Sequence, residues 1–204
     1  MPKSETGRVE AFSDGVFAVA ITLLILTLKV PAEKEISSKV SLWHLLVLQW
    51  PSFLAFVTSF ITILFIWLNH HMVMRLIHVN NGNFMLINGL LLLFVTLLPF
   101  STAVLAEHLG HSGSKDGIIF YNGSLFSVAS MFQIFWKYAI KNERLLGPEC
   151  DKLEIKRIDK QFKIGFILYS IAFVSSFFVP IISLGISVFL AAYFTAVGIF
   201  SKHS

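Results

Sequence analysis

Six apolar runs, at about residues 9–29, 43–68, 84–106, 117–140, 162–180 and 182–200, divide the chain, with polar segments between them. Runs of this length approach or exceed the ~18–20 residues with which a helix crosses a ~30 Å hydrocarbon core. They are continuously apolar rather than alternating, so their amides are satisfied inside helices and not between barrel strands. The pattern predicts an all-α integral membrane protein. Only "VPIIS" separates the last two runs, and Pro180 removes an amide donor there, so a tight helical hairpin is expected. Pro51 and Pro99 fall within or near the ends of other runs, where neighbouring helices can satisfy the freed carbonyls. No soluble domain, internal repeat or low-complexity segment interrupts the series, which predicts one six-helix domain over residues 1–204.

The first run has two sides. At about 100° per residue, Asp14 shares a face with Phe17, Ala18, Ile21, Ile25 and Leu28, while Gly15, Val19, Thr22 and Leu26 form a second stripe. Two stripes set apart in this way face different neighbours: one meets helices of the same subunit, the other something else.

Composition agrees with the membrane reading. The chain is 55% hydrophobic and 14% charged, against roughly 25% charged in soluble proteins. Its net charge of +4 belongs to loop lysines and arginines and does not imply nucleic acid. Alternating the spans puts Lys3, Arg8, Arg75, Lys137, Lys141, Arg144, Lys152, Lys156, Arg157, Lys160, Lys163 and Lys202 on one side, and only Lys29, Lys34, Lys39 and Lys115 on the other. The richer side is expected to face the cytoplasm, with both termini, in the cell inner (plasma) membrane. The basic loop ends in "LEIKRIDKQFK", which reads equally as a short surface helix or as a solvated linker. Cys150 is the single cysteine, which rules out an internal disulfide. Acidic Glu5 and Glu10 beside Lys3 and Arg8 argue against a signal peptide.

A carboxylate near the end of a membrane helix costs up to ~3 kcal/mol on insertion scales, so Asp14 needs a partner or water. The second run ends in "IWLNHH" and the third begins with "NFMLINGL", which puts His70, His71 and Asn88 at the membrane level of Arg8, Ser13 and Asp14. A polar cluster at the inner leaflet is expected, with a structural or gating role.

The same residues carry a family likeness. "RVEAFSD" resembles the RxxxFSD signature of the transmembrane protein 175 family of endolysosomal potassium channels and bacterial relatives, with Arg8, Phe12, Ser13 and Asp14 in register. The "WLNHH" end of the second run, Asn88 and "LLPF" are similar too. The resemblance implies a homotetramer of six-span subunits around one pore lined by the first helix. It places pore-facing side chains at Val19, Thr22 and Leu26, the stripe already found by periodicity, with Val19 where the family usually has a bulkier residue. Potassium is then the permeant ion, with no bound cofactor or metal and no nucleic-acid partner. The chain has no "TVGYG" filter, so selectivity falls to side chains: a ring of Thr22 hydroxyls between apolar constrictions at Val19 and Leu26 that gate by dewetting. Arg8, Phe12, Ser13, Asp14, His70, His71 and Asn88 would tie the pore helix to the next two spans.

Two other functions fit parts of the pattern. A proton-coupled secondary transporter also needs an intramembrane acid near histidines, although no internal pseudo-symmetry is visible. A membrane metalloenzyme is suggested by "NHHMVMRLIH", but adjacent His70 and His71 splay by about 100° on a helix. "NGS" at Asn122 falls inside the fourth run, so it is not read as a glycosylation acceptor, and "GHSGS" lacks the spacing of a nucleophile elbow.

Overall fold

The computed structural model describes residues 3–36, 40–141, 145–148 and 150–200, with side chains between 6 and 194 within those ranges. Lys39, Arg144 and Lys202, three of the charges used to orient the chain, lie outside the described residues. The elements are α1 (Lys3–Leu23) running on into a 3₁₀ segment (Leu24–Thr27), a 3₁₀ turn (Glu33–Glu35), α2 (Leu42–Leu48), α3 (Trp50–Leu76), α4 (Gly82–His108), α5 (Ser114–Ile140), α6 (Lys152–Ser176) and α7 (Pro180–Phe200).

Local chemistry sets the boundaries. Ser41, Asn81 and Asp151 each accept a hydrogen bond from a backbone amide of the helix they open, namely His44, Phe84 and Leu153, satisfying donors that have no partner within the helix. The apolar run expected at 43–68 is in fact two helices: the chain breaks at Gln49, and Pro51 sits in the first turn of α3, where its missing amide is harmless. Pro99, in contrast, lies inside an unbroken α4. The start of α1 lies before the apolar run, because charged Arg8 and Glu10 continue the helix out of the hydrophobic zone. "LEIKRIDKQFK" is neither a separate surface helix nor a linker; it forms the opening turns of α6 and runs directly into the expected span. Bends over Phe177–Val179 and Pro180 at the head of α7 make the expected hairpin.

Among the described residues, four segments are long and apolar enough to cross a membrane: Thr6–Thr27, Trp50–Leu76, Gly82–His108 and Ser114–Ile140. Pro180–Phe194 is a shorter apolar helix. The protein is a multi-pass, all-helical membrane protein. At 27 residues each, α3, α4 and α5 reach about 40 Å, more than the hydrocarbon core requires.

In the bundle α4 packs on α5, α3 on α4, α6 on α5 and α7, and α7 also on α3 and α5; α1 lies against α3 and α4. Phe17, Leu24, Ile63, Phe84, Leu91, Tyr121, Phe135 and Trp136 fill the shared core. The two loops on the basic side are joined by backbone bonds, His78 N–H to Leu145 O at 2.8 Å and Gly147 N–H to Leu76 O at 3.1 Å. A Cβ at Gly147 would fall 2.5 Å from His78 Nε2, so any larger residue there would have to displace the His78 ring.

Candidate functional site

Helix α1 buries one side and exposes the other. Ser13, Phe17, Ala20, Leu24 and Thr27 are buried against α3 and α4. Val19 is 56% exposed, Leu26 74% exposed and Phe12 65% exposed, and Arg8, Gly15 and Thr22 are exposed with them. Taken at 100° per residue, the two stripes lie roughly 150° apart. The buried face therefore centres on Ser13 and Phe17 rather than on Asp14, and Ala18 and Ile25, expected to share the Asp14 face, are exposed. Asp14 sits at the boundary.

On the buried side a chain of hydrogen bonds links three helices. Ser13 Oγ donates to Val9 O at 2.8 Å and accepts from Asn88 Nδ2 at 3.0 Å, and Asn88 Oδ1 pairs with His70 Nε2 at 2.8 Å. Because the amide oxygen can only accept, the network assigns the imidazole proton to Nε2. The ring of His70 is held by aromatic neighbours, stacked on Phe135 with centroids 5.5 Å apart and tilted against Phe17 at 5.3 Å. Ser13, His70 and Asn88 are all buried, so each polar group depends on its partner in this chain.

Two further contacts fasten α1 to α3. Trp67 Nε1 donates to Asp14 Oδ1 at 2.8 Å. His71 Nδ1 lies 2.9 Å from Glu10 Oε1, close enough for an ion pair though not aligned as a hydrogen bond, and its ring stacks on Trp67. Neither histidine is the direct partner of Asp14: His70 turns toward Asn88 and His71 toward Glu10. Neither Trp67, noted only within the family likeness, nor Glu10 belongs to the polar cluster expected from the sequence. Their signal was helical spacing, Trp67 three residues before His70 and Glu10 four before Asp14.

Arg8 and Phe12 are not part of this tie. They border a groove between α1 and the start of α4, with Val9, Asn80, Met85, Asn88 and Gly89, and their side of α1 continues the exposed stripe of Val19 and Leu26. Thr22 Oγ1 donates to Val19 O at 2.9 Å, which uses its proton within the helix and leaves its lone pairs pointing away from it. At the opposite end, Lys29, just past the 3₁₀ segment, pairs with Glu107 of α4.

Deeper in the bundle, hydroxyls and amides make two more ties. Thr102 Oγ1 contacts Ser59 Oγ at 2.7 Å, and Ser59 Oγ contacts Tyr121 OH at 3.0 Å, joining α3, α4 and α5. Asn122 donates to Ser183 at 3.1 Å and accepts from Ser187 at 2.8 Å, joining α5 to α7. Buried Asn122 is thus a packing residue. Among the described residues no three His, Cys, Asp or Glu side chains converge as metal ligands.

A multi-pass helical bundle thus has its first helix pinned by polar contacts on one side and uncovered by its own chain on the other. The family model described as endosomal/lysosomal potassium channel TMEM175 matches residues 8–99. A potassium channel of Chamaesiphon minutus is 46% identical over 192 residues, spanning 94% of each chain. The endosomal/lysosomal proton channel TMEM175 of Gallus gallus is 35% identical over 143 residues, which is 67% of this chain and 28% of that one. In structure, the crystallised lysosomal potassium-selective channel TMEM175 homologue from Chamaesiphon minutus superposes with a TM-score of 0.87 at 43% identity, covering 96% of this chain and 99% of that one. The chain belongs to the TMEM175 family, a family of ion channels and not of enzymes.

Proposed function

We propose that the chain is one subunit of a homotetrameric, potassium-selective channel in which four copies of α1 surround the pore. The observation that carries this reading is the bare stripe of Val19, Thr22 and Leu26 on a helix whose other side is fastened by Ser13, Asp14, Asn88, His70, Trp67 and the Glu10–His71 pair. Six membrane crossings, with α6 and α7 completing the set and both termini cytoplasmic, are part of the proposal, as is one channel domain over residues 1–204.

The rings act in sequence along the axis, with Thr22 about 4.5 Å beyond Val19 and Leu26 about 7 Å beyond Thr22. Val19 and Leu26 narrow the path with alkyl groups that do not replace hydration water, so they gate by dewetting. Four Thr22 hydroxyls, their protons turned to the Val19 carbonyls, offer oxygen lone pairs to a partly dehydrated cation. Potassium sheds water at lower cost than sodium, so the path favours potassium by a modest factor. Arg8 and Phe12 lie at the seam between neighbouring subunits.

The test is twofold. Mass measurement in detergent is expected to give a tetramer; a monomer removes the pore, since one subunit leaves this stripe facing outward. Liposome currents are expected to reverse near the potassium equilibrium potential. Strict dependence on a proton gradient would instead establish the coupled-transporter reading.

A further inference from the structure

Helix α6 packs on α5 and α7, away from α1, and its outward face is divided sharply in two. We infer that this face binds an anionic diacyl phospholipid from the leaflet on the basic side of the protein. Lys156, Lys160 and Lys163 of α6, with Asp159, Ile140, Ile155 and Ile164, line a surface groove between α6 and the end of α5. Asp159 accepts from Lys137 of α5 through Oδ1 at 2.6 Å and pairs with Lys163 through Oδ2 at 2.9 Å, holding two ammonium groups side by side. Among the described residues no carboxylate pairs with Lys156 or Lys160. Four lysines around one aspartate leave an excess of three positive charges, which suits a phosphodiester and repels a cationic partner.

The same face then becomes apolar. Ile164, Ile167, Ile171 and Val174 follow Lys156, Lys160 and Lys163 at helical spacing and are all exposed. From Ile164 to Val174 this stripe covers ~15 Å, half of a ~30 Å core and so the depth of one leaflet. A soluble acidic protein would use the lysines and leave the stripe bare. A zwitterionic lipid would use the stripe and leave the excess charge unmatched. An anionic phospholipid matches both, its phosphate against Lys156 and Lys160 and a chain along the isoleucines. This rests only on the chain spanning a membrane and is independent of where the pore lies.

Native mass spectrometry of the delipidated full chain in detergent, titrated with phosphatidylglycerol, phosphatidylcholine or glycerol 3-phosphate, tests it. Phosphatidylglycerol is expected to bind more tightly than phosphatidylcholine. Replacing two lysines, as in Lys156→Gln with Lys160→Gln, should weaken phosphatidylglycerol by roughly 30-fold, about fivefold for each charge at the surface. Lys34→Gln, on the opposite side, should leave it unchanged. Raising the salt around the native chain should erode the preference, a readout that needs no variant. Equal binding of the two lipids, a double variant that binds like the native chain, or a salt-insensitive preference each overturns the inference. So does displacement by glycerol 3-phosphate as effective as by the lipid, since the stripe would then contribute nothing.

Discussion

Asn88→Ala removes the middle member of the Ser13–Asn88–His70 chain, and the structure allows its cost to be worked out. The change leaves His70 Nε2–H without an acceptor in a buried aromatic setting, a loss of about 1–3 kcal/mol. Ser13 loses a donor at 3.0 Å but keeps its own bond to Val9 O, so its share is smaller, about 0.6 kcal/mol as for interhelical bonds in membrane bundles. The sum, about 2–4 kcal/mol, corresponds to a fall in melting temperature of about 5–15 °C for a chain of this size. Fluorescence-detected size exclusion after heating in detergent measures it. Ser13→Ala leaves the buried Asn88 Nδ2–H without its acceptor and should cost about 1–3 kcal/mol in turn, and the double variant should melt close to Asn88→Ala alone, because the Ser13 contact is already lost with its donor. An Asn88→Ala protein within a degree of the native one, or strictly additive effects, would refute the view that these groups act as one chain.

The remaining predictions concern the pore, the tie and the basic groove. Thr22→Val keeps the shape of the side chain and removes its oxygen, so tetramers should form normally while the potassium over sodium preference falls toward unity, read from reversal potentials; an unchanged preference removes Thr22 from the selectivity step. Asp14→Ala should reduce tetramer yield by leaving the Trp67 indole N–H unpaired, and Trp67→Phe should act in the same direction more weakly; normal tetramers with altered permeation would show that the contact does not tether α1. At Asp159, which precedes the span of α6, burial opposes the charge, but the hydrogen bonds from Lys137 and Lys163 outweigh it and hold the carboxyl below its ordinary 3.8. A depressed carboxyl stabilises the fold above the unfolded value and loses that contribution as pH falls through the folded one. Asp159→Asn should therefore melt earlier than the native chain near neutral pH, and the gap should close below pH 3.8; a gap of the same size at pH 3 contradicts the pairing.

The apolar runs, the hairpin at Pro180 and the gathering of Ser13, Asn88 and His70 at one level were legible because hydrophobic length and alternating topology fix depth in a membrane. Rotation about the helix axis was less legible. Asp14 falls at the edge of the buried face, so a shift of one position decides whether it meets a histidine or Trp67, and periodicity alone does not resolve that. Arg8 belongs to the signature in sequence yet lies on the exposed side with Phe12, a distinction that needs the packing of α1 on α4. The break at Gln49 was hidden because both sides of it are apolar, and the early start of α6 because charged residues such as Lys156 and Arg157 continue a helix as readily as they form a loop.

The tighter winding of Leu24–Thr27 sets the azimuth of Leu26. In a 3₁₀ turn residues three apart eclipse, so Leu24 and Thr27 sink together into the subunit while Ile25 and Leu26 remain outside. Restoring the α pitch over these residues would swivel Leu26 by roughly 60° and draw the tip of the helix back by about 2 Å. In the proposed pore, the reach of Leu26 would thus be adjustable by local rewinding, with the shaft below it left in place.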